Sequence, residues 1–220
     1  MTQMPQSLFE LQAVFDRWTQ SMQKIKGRNE RIAFTRAEMP ALLLNRGLLK
    51  KIMTDIVKGK LYPDIRQATM FSNEFILYIN NQRLYSVRLY IYEPGQYTPV
   101  HDHNSWGVYG CVSKKVEVIR YRRQDDETRQ GYARLRQTDR IMLRPGDTSV
   151  VRPLNDGIHQ AGNPATDTCV MLSVYGTPIR RLYINQYEPM RNRVSRLYPP
   201  RLRKKRLATQ ALETMGVIDL

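Results

Sequence analysis

The stretch that decides the fold is Gly95-Gln-Tyr-Thr-Pro-Val-His101-Asp-His103, in which two histidines stand one residue apart after a glycine and a proline. In an extended strand, residues i and i+2 point to the same face, so both imidazoles can reach one point in space. A second stretch, Pro153-Leu-Asn-Asp-Gly-Ile-His-Gln-Ala-Gly-Asn163, carries His159, the third and last histidine of the chain. Although a single histidine is more often packed or solvated than a ligand, this arrangement predicts a metal site with open positions.

The composition limits the class of protein. The chain has 220 residues, of which 41% are hydrophobic, and this length favours one domain with a sizeable core. It shows no apolar run that could span a bilayer and no secretory signal at its start. Cys111 and Cys169 are too few for a disulfide framework. These features predict a cytoplasmic protein with reduced thiols and no membrane partner.

The first 60 residues predict a layer of helices. Apolar residues at helical spacing indicate one helix from a capping box at Ser7 to about Lys26. A second capping-box pattern at Thr35 introduces two more helices, broken near residues 45–47 and ending at Gly59. Paired carboxylates and phosphate-binding glycines are lacking there. The expected role of this layer is therefore to cover one face of the structure that follows.

From Phe75 onward the pattern becomes one of short strands separated by Gly and Pro turns. Residues 84–92 alternate clearly, with Tyr85, Val87, Leu89 and Ile91 on one face and Ser86, Arg88, Tyr90 and Tyr92 on the other. Strands continue to Tyr175 without a helix-length interruption, which predicts a mainly β barrel or sandwich. The predicted organisation is helices over 1–60, a barrel over 61–184 and a basic extension over 185–220.

The basic extension accounts for part of a net charge of +15. Between Arg180 and Arg206 there are ten basic residues and one acidic residue, Glu188, and a final helix is predicted from Leu202 to Met215. Two interpretations stay open, a solvated tail laid across the barrel or a surface for nucleic acid or an acidic partner. Three tyrosines interleave with the charge, namely Tyr183, Tyr187 and Tyr198.

The spacing of the two histidine stretches resembles the two motifs of the cupin superfamily, whose double-stranded β-helix (jelly-roll) barrels hold a metal inside. Gly95 lies six residues before His101, and Asn163 lies four residues after His159. Together with Trp106-Gly107, the pattern is similar to the cysteine dioxygenase-type thiol dioxygenases within that superfamily, over about residues 75–184. Those enzymes lack the glutamate of the general cupin motif, and no acidic residue lies between residues 102 and 117 here.

This resemblance implies a non-haem iron enzyme in which Fe(II) is held by His101, His103 and His159. A small thiol substrate and O₂ would share the open positions, and dioxygen transfer to sulfur gives a sulfinic acid. The implied substrate is a thiol carboxylate of the cysteine or 3-mercaptopropionate type, with the bacterial mercapto-acid branch as the better match. The family's crosslinked cysteine falls at Gly107, so the crosslink is expected to be absent.

The final strand of the family carries a Ser-x-His-x-Tyr relay near the iron. Here the tyrosine is kept as Tyr175, the implied catalytic residue, while Met171 and Ser173 replace the serine and the histidine. Bacterial relatives place a carboxylate-binding arginine shortly after the tyrosine, so the resemblance implies Arg180 or Arg181 as the substrate-binding residue.

Two alternatives remain open at this point. The altered relay is compatible with a metal-dependent cupin oxygenase acting on a substrate that is not a thiol. The basic extension is compatible with a non-catalytic cupin that binds nucleic acid or an acidic partner.

Overall fold

The computed structural model of the chain describes residues 6–58 and 69–214. Within these residues, the chain begins with three helices, α1 (Gln6–Lys24), α2 (Arg28–Leu43) and α3 (Arg46–Val57), and a fourth, α4 (Pro200–Thr214), lies near its end. Between them lie β1 (Glu74–Ile79), β2 (Tyr85–Tyr92), β3 (Val100–His101), β4 (Gly107–Ser113), β5 (Val116–Arg123), β6 (Leu135–Leu143), β7 (Thr148–Val151), β8 (His159–Gly162), β9 (Cys169–Gly176), β10 (Ile184–Glu188) and β11 (Arg193–Leu197). No helix of the described ranges has the length and apolar character that a membrane span requires.

The strands form two antiparallel sheets. The first sheet has the order β1-β2-β9-β4-β7, and the second has the order β11-β10-β3-β8-β5-β6. From β2 to β5 and again from β6 to β10, the chain passes from one sheet to the other at each connection. This alternation winds the chain into a double-stranded β-helix, or jelly roll, and it confirms the predicted fold class.

The first sheet is covered on both faces. Tyr85, Val87 and Leu89 of β2 are buried in a cluster with Phe15 and Trp18 of α1. The opposite face of β2 contributes its two last tyrosines to the core between the sheets. The N-terminal helices therefore cover the outer face of the first sheet, as predicted.

Neither capping-box residue caps a helix, although the start predicted at Ser7 is within one residue of Gln6, where α1 begins in the described residues. Ser7 lies within α1, and its hydroxyl donates a hydrogen bond to Asp55 of α3. Thr35 lies in the middle of α2, where its hydroxyl donates to the carbonyl of Arg31 at 2.8 Å. Serine and threonine can satisfy their hydroxyls within helices in this way, so the sequence pattern alone does not mark a cap.

The predicted break between the next two helices is confirmed. The side chain of Asn45 accepts a hydrogen bond from the Leu48 amide at 3.1 Å and caps α3. The predicted helix end at Gly59 and the boundary at residue 60 lie outside the described residues.

The second sheet extends past the boundary predicted at residue 184. Strands β10 and β11 form a hairpin, and β10 pairs with β3 so that Gln186 lies opposite His101. Ile184 and Tyr187 are the buried positions of β10, and Tyr187 packs in a small core with Val100. The segment predicted as a basic extension thus begins with two strands of the second sheet. Packing of a few apolar side chains, such as Ile184 and Tyr187, is sufficient to place these strands in the sheet although arginines are frequent around them.

Candidate metal centre

Strand pairing brings the three histidines together. Strand β3 lies between β10 and β8, and its His101 is directly opposite His159 of β8. His103 follows two residues later, and its Nε2 lies 3.2 Å from Nε2 of His159. One ring nitrogen from each of the three buried histidines lies within 4.8 Å of the other two. The residues predicted as a metal site from spacing therefore form one cluster.

The chemistry of this cluster fits a divalent transition metal. Nδ1 of His101 lies 2.8 Å from the Pro99 carbonyl and donates to it, so its Nε2 is free to bind a metal. Burial lowers the pKa of His101. The pKa values of His103 and His159 are lowered further, first by burial and then by the neighbouring histidines. All three rings are thus neutral near pH 7, which is the form that binds metals.

A buried carboxylate braces the loop that carries His103. Asp102 is fully buried and accepts hydrogen bonds from Arg181 Nη1 and Nη2 at 3.0 and 2.6 Å. It also accepts from the backbone N–H and the side-chain amide of Asn185, at 2.8 and 3.0 Å. Arg181 Nε donates to Asn104 Oδ1 at 2.6 Å. Because Asp102 and Asn104 flank His103 in sequence, Arg181 clamps both sides of this ligand.

This placement bears on Arg180 and Arg181, for which the resemblance implied substrate binding. Arg181 is committed to Asp102, and Arg180 is exposed. Neither appears among the described residues that line the cavity next to His101 and His103. The sequence could not distinguish a guanidinium that binds a buried aspartate from one that faces a ligand.

That cavity, of about 200 Å³, contains a different arginine. Arg88 points inward from β2 and forms an ion pair with Glu74 of β1. The Glu74 side chain is 1% exposed and also accepts from the backbone N–H of Met70 and Phe71 at 3.1 and 3.3 Å. The Arg88 side chain is 29% exposed, and its Nη2 has no hydrogen-bond partner among the described residues. A guanidinium donor is therefore available beside the histidines.

Sequence analysis did not identify Arg88 or Tyr90 as site residues. The alternation of β2 had placed both of them on one face with Tyr92, and that face points into the barrel. A charged residue on a strand face that it shares with aromatic residues is unusual, and this pattern could have indicated Arg88 as a site residue.

Tyr175 lies beside the cluster, as the resemblance implies. Its ring stacks on His103 with centroids 5.5 Å apart, and its hydroxyl lies 3.4 Å from that of Tyr90. A Cβ atom at Gly107 would lie 2.7 Å from the Tyr175 ring, so the backbone of β4 approaches the tyrosine closely at this glycine. Hydroxyl groups of Tyr90 and Ser173 are the polar neighbours of the Tyr175 hydroxyl.

No protein-family model matches the chain. The chain is similar to a solved Klebsiella pneumoniae protein described as uncharacterised with a double-stranded β-helix domain, at 17% identity and a TM-score of 0.37, over 52% of this chain and 83% of the other. A cupin 2 conserved barrel domain protein from Salinispora arenicola gives 15% identity and a TM-score of 0.36, over 50% of this chain and 81% of the other. Oxalate decarboxylase from Lactobacillus farciminis gives 19% identity and a TM-score of 0.35, over 50% of this chain and 30% of the other.

These values are too low to assign an activity. The strand order of the chain itself gives it the double-stranded β-helix fold. Its own side chains place a three-histidine cluster that can hold a metal inside that barrel.

Proposed function

We propose that the protein is an Fe(II)-dependent thiol dioxygenase that oxidises a small thiol carboxylate. In this reaction both atoms of O₂ are added to the sulfur of R–SH, which gives R–SO₂⁻ and releases one proton. The observation that carries the proposal is one cavity that combines His101 and His103 with the guanidinium of Arg88. A neutral ligand set and a cation within reach suit a substrate that has a thiolate at one end and a carboxylate at the other.

The size of the cavity supports a small substrate. Its volume of about 200 Å³ is below the range of about 300–1,000 Å³ that is typical of pockets for drug-sized ligands. Arg88 would hold the carboxylate through donors that Glu74 leaves unused. Because the Arg88–Glu74 pair fixes the guanidinium before the substrate arrives, little conformational entropy is lost on binding.

The bound metal and the tyrosines have separate tasks in this proposal. Ferrous iron, held by the three histidines, would lower the pKa of the substrate thiol and supply electrons for the activation of O₂. Burial raises the pKa of Tyr175, so its hydroxyl stays protonated and donates a hydrogen bond to the substrate. Tyr90 also lines the cavity, and its hydroxyl, 3.4 Å from that of Tyr175, would donate to it. Phe71, which lies 5.0 Å from the His101 ring, shields the site from water.

A second candidate function is the oxidation of a small carboxylate that is not a thiol. Ser173 favours it, because this residue stands where the thiol dioxygenases that the chain resembles carry a histidine. The two candidates differ in their products. With ¹⁸O₂ and iron-loaded protein, the proposal predicts a sulfinate that carries two labelled oxygens, detected by mass spectrometry. Labelled oxygen on carbon, with no sulfinate from cysteine or 3-mercaptopropionate, would favour the second candidate.

A further inference from the structure

A second cavity, of about 500 Å³, lies away from the three histidines and shares no lining residue with the cavity at the metal centre. The loop after β5, the β10–β11 hairpin and α4 form its walls. Its wall residues are rich in arginine and tyrosine, and we call it the arginine–tyrosine cleft after Arg129, Arg196, Arg206, Tyr183 and Tyr198.

The cleft carries positive charge that no carboxylate of residues 6–58 or 69–214 neutralises at Arg196 and Arg206. The guanidinium of Arg196 lies 4.7 Å from the ring centroid of Tyr183, and that of Arg206 lies 4.4 Å from that of Tyr198. Within the described ranges, neither arginine forms an ion pair with a carboxylate. The one acidic side chain in the lining, Glu127, is bound to Arg123 at 3.1 Å. An anionic ligand would therefore meet two arginines that, in the part of the chain that the structure describes, contact aromatic rings and no carboxylate.

We propose that the arginine–tyrosine cleft binds single-stranded nucleic acid. Phosphates would contact the arginines, and bases would stack on the Tyr183–Tyr198 pair, whose ring centroids lie 5.6 Å apart, or on the guanidinium planes over it. The charge continues beyond the cleft along α4, where Arg203, Lys204 and Lys205 are exposed. Of these, Arg203 shares a helix face with Arg206, which lies three residues later. A positive surface longer than one phosphate favours a polymer over a single small anion.

The combination of arginines and tyrosines also favours nucleic acid over an acidic peptide as the ligand. Carboxylates need only the charge, whereas nucleobases also use planar aromatic and guanidinium surfaces. Tyr187, which interleaves with the same arginines in sequence, is buried and takes no part. The stacking role therefore falls on Tyr183 and Tyr198, which line the cleft.

The test is fluorescence anisotropy of the full chain with a 5′-labelled 20-nucleotide oligouridylate, titrated between 50 and 250 mM NaCl. The expected dissociation constant is in the micromolar range and rises with salt, with a slope of about 0.7 in log–log terms for each phosphate contact. An Arg196→Ala/Arg206→Ala variant should bind at least tenfold more weakly and show a shallower slope. Tyr198→Leu should lose about 5- to 100-fold in affinity while the slope stays the same.

The matched control removes equal charge elsewhere. Lys24 and Arg28 are exposed on the helical layer at the end of α1 and the start of α2, and a Lys24→Ala/Arg28→Ala variant should change binding less than twofold. An equal loss of affinity in this control would overturn the proposal, because it would mean that binding depends only on the net charge of the protein. Displacement of the oligonucleotide by polyglutamate of equal charge, or by free uridine monophosphate, as readily as by unlabelled strand would overturn it as well.

Discussion

Replacement of Arg181 by alanine is the sharpest test of how the protein positions its three-histidine cluster. The side chain is largely buried and makes three hydrogen bonds, two to Asp102 and one to Asn104. These partners precede and follow His103 directly, so a single side chain determines the position of the middle ligand. Arg180, the next residue in the chain, is exposed and provides a matched control.

The expected loss of stability follows from the buried carboxylate of Asp102, which loses its ion-pair partner in the variant. Without Arg181, the carboxylate of Asp102 stays fully buried and keeps only its two bonds from Asn185. Removing one partner of a buried ion pair costs about 3–5 kcal/mol, and the Asn185 bonds place this case near 3 kcal/mol. For a chain of this length, each kcal/mol corresponds to about 2–4 °C in Tm, so the expected decrease is about 6–12 °C.

The metal site should respond as well. Residues that orient metal ligands typically contribute about 10- to 100-fold to metal affinity. We expect Arg181→Ala to weaken metal binding in that range, measured by competition with a coloured chelator at 25 °C, well below the transition. Arg180→Ala should stay within about 0.5 kcal/mol of the parent and keep its metal affinity. Equal effects of the two substitutions on Tm and on metal affinity would refute the assignment of Arg181 to the metal loop.

Three further predictions concern the cavity and the histidines. Arg88→Gln should lower kcat/KM for 3-mercaptopropionate by about 10- to 150-fold, the value of a hydrogen bond to a charged group. The kcat/KM for cysteamine, which has no carboxylate, should stay nearly unchanged. Equal losses on both thiols would contradict the role of Arg88 in binding the carboxylate. Gly107→Ala should cost about 1–3 kcal/mol in thermal unfolding and reduce activity, because the new methyl group would meet the Tyr175 ring at 2.7 Å; an unchanged Tm would contradict this contact. Burial lowers the pKa of His103 and His159, so below about pH 6.5 the unfolded chain binds more protons than the folded chain. The metal-free protein should therefore lose up to about 1.4 kcal/mol of unfolding free energy per pH unit for each histidine as pH falls. A midpoint of urea unfolding, measured with chelator present, that stays constant from pH 7 to 5 would contradict the burial of these rings in the neutral form.

Strand periodicity predicted a mainly β barrel or sandwich, histidine spacing predicted a metal site, and the resemblance to the cupin motifs narrowed the fold to the double-stranded β-helix, which the structure confirms. Alternation in β2 separates the face that packs on the helices from the face that lines the barrel, and both faces appear where the pattern placed them. Local patterns were less informative about ends. Thr35 resembled a helix cap but satisfies its hydroxyl inside α2. Strand β10 was missed because it has only two buried residues, Ile184 and Tyr187, and lies between segments rich in arginine.

The remainder of the site depends on pairings between residues distant in sequence. Arg181 and Asp102 are 79 positions apart, and no local pattern reveals that one binds the other. Arg88 meets Glu74 across the β1–β2 hairpin, and Tyr90 meets Tyr175 across two neighbouring strands. The resemblance implied an arginine close to Tyr175 and the three histidines, and the structure places Arg88 in the cavity there. Only the fold determines which arginine faces the cavity.

The most direct test of the central claim is O₂ consumption by anaerobically Fe(II)-loaded protein, measured together with iron content, for cysteine and 3-mercaptopropionate. A His159→Ala variant, which removes one ligand from the cluster, is the comparison. The account predicts one iron per chain in the parent protein, one O₂ consumed per sulfinate formed, and loss of both iron and uptake in the variant. Stoichiometric iron with no thiol-dependent uptake would contradict the proposed reaction, and thiol oxidation that survives in the variant would contradict the proposed metal centre.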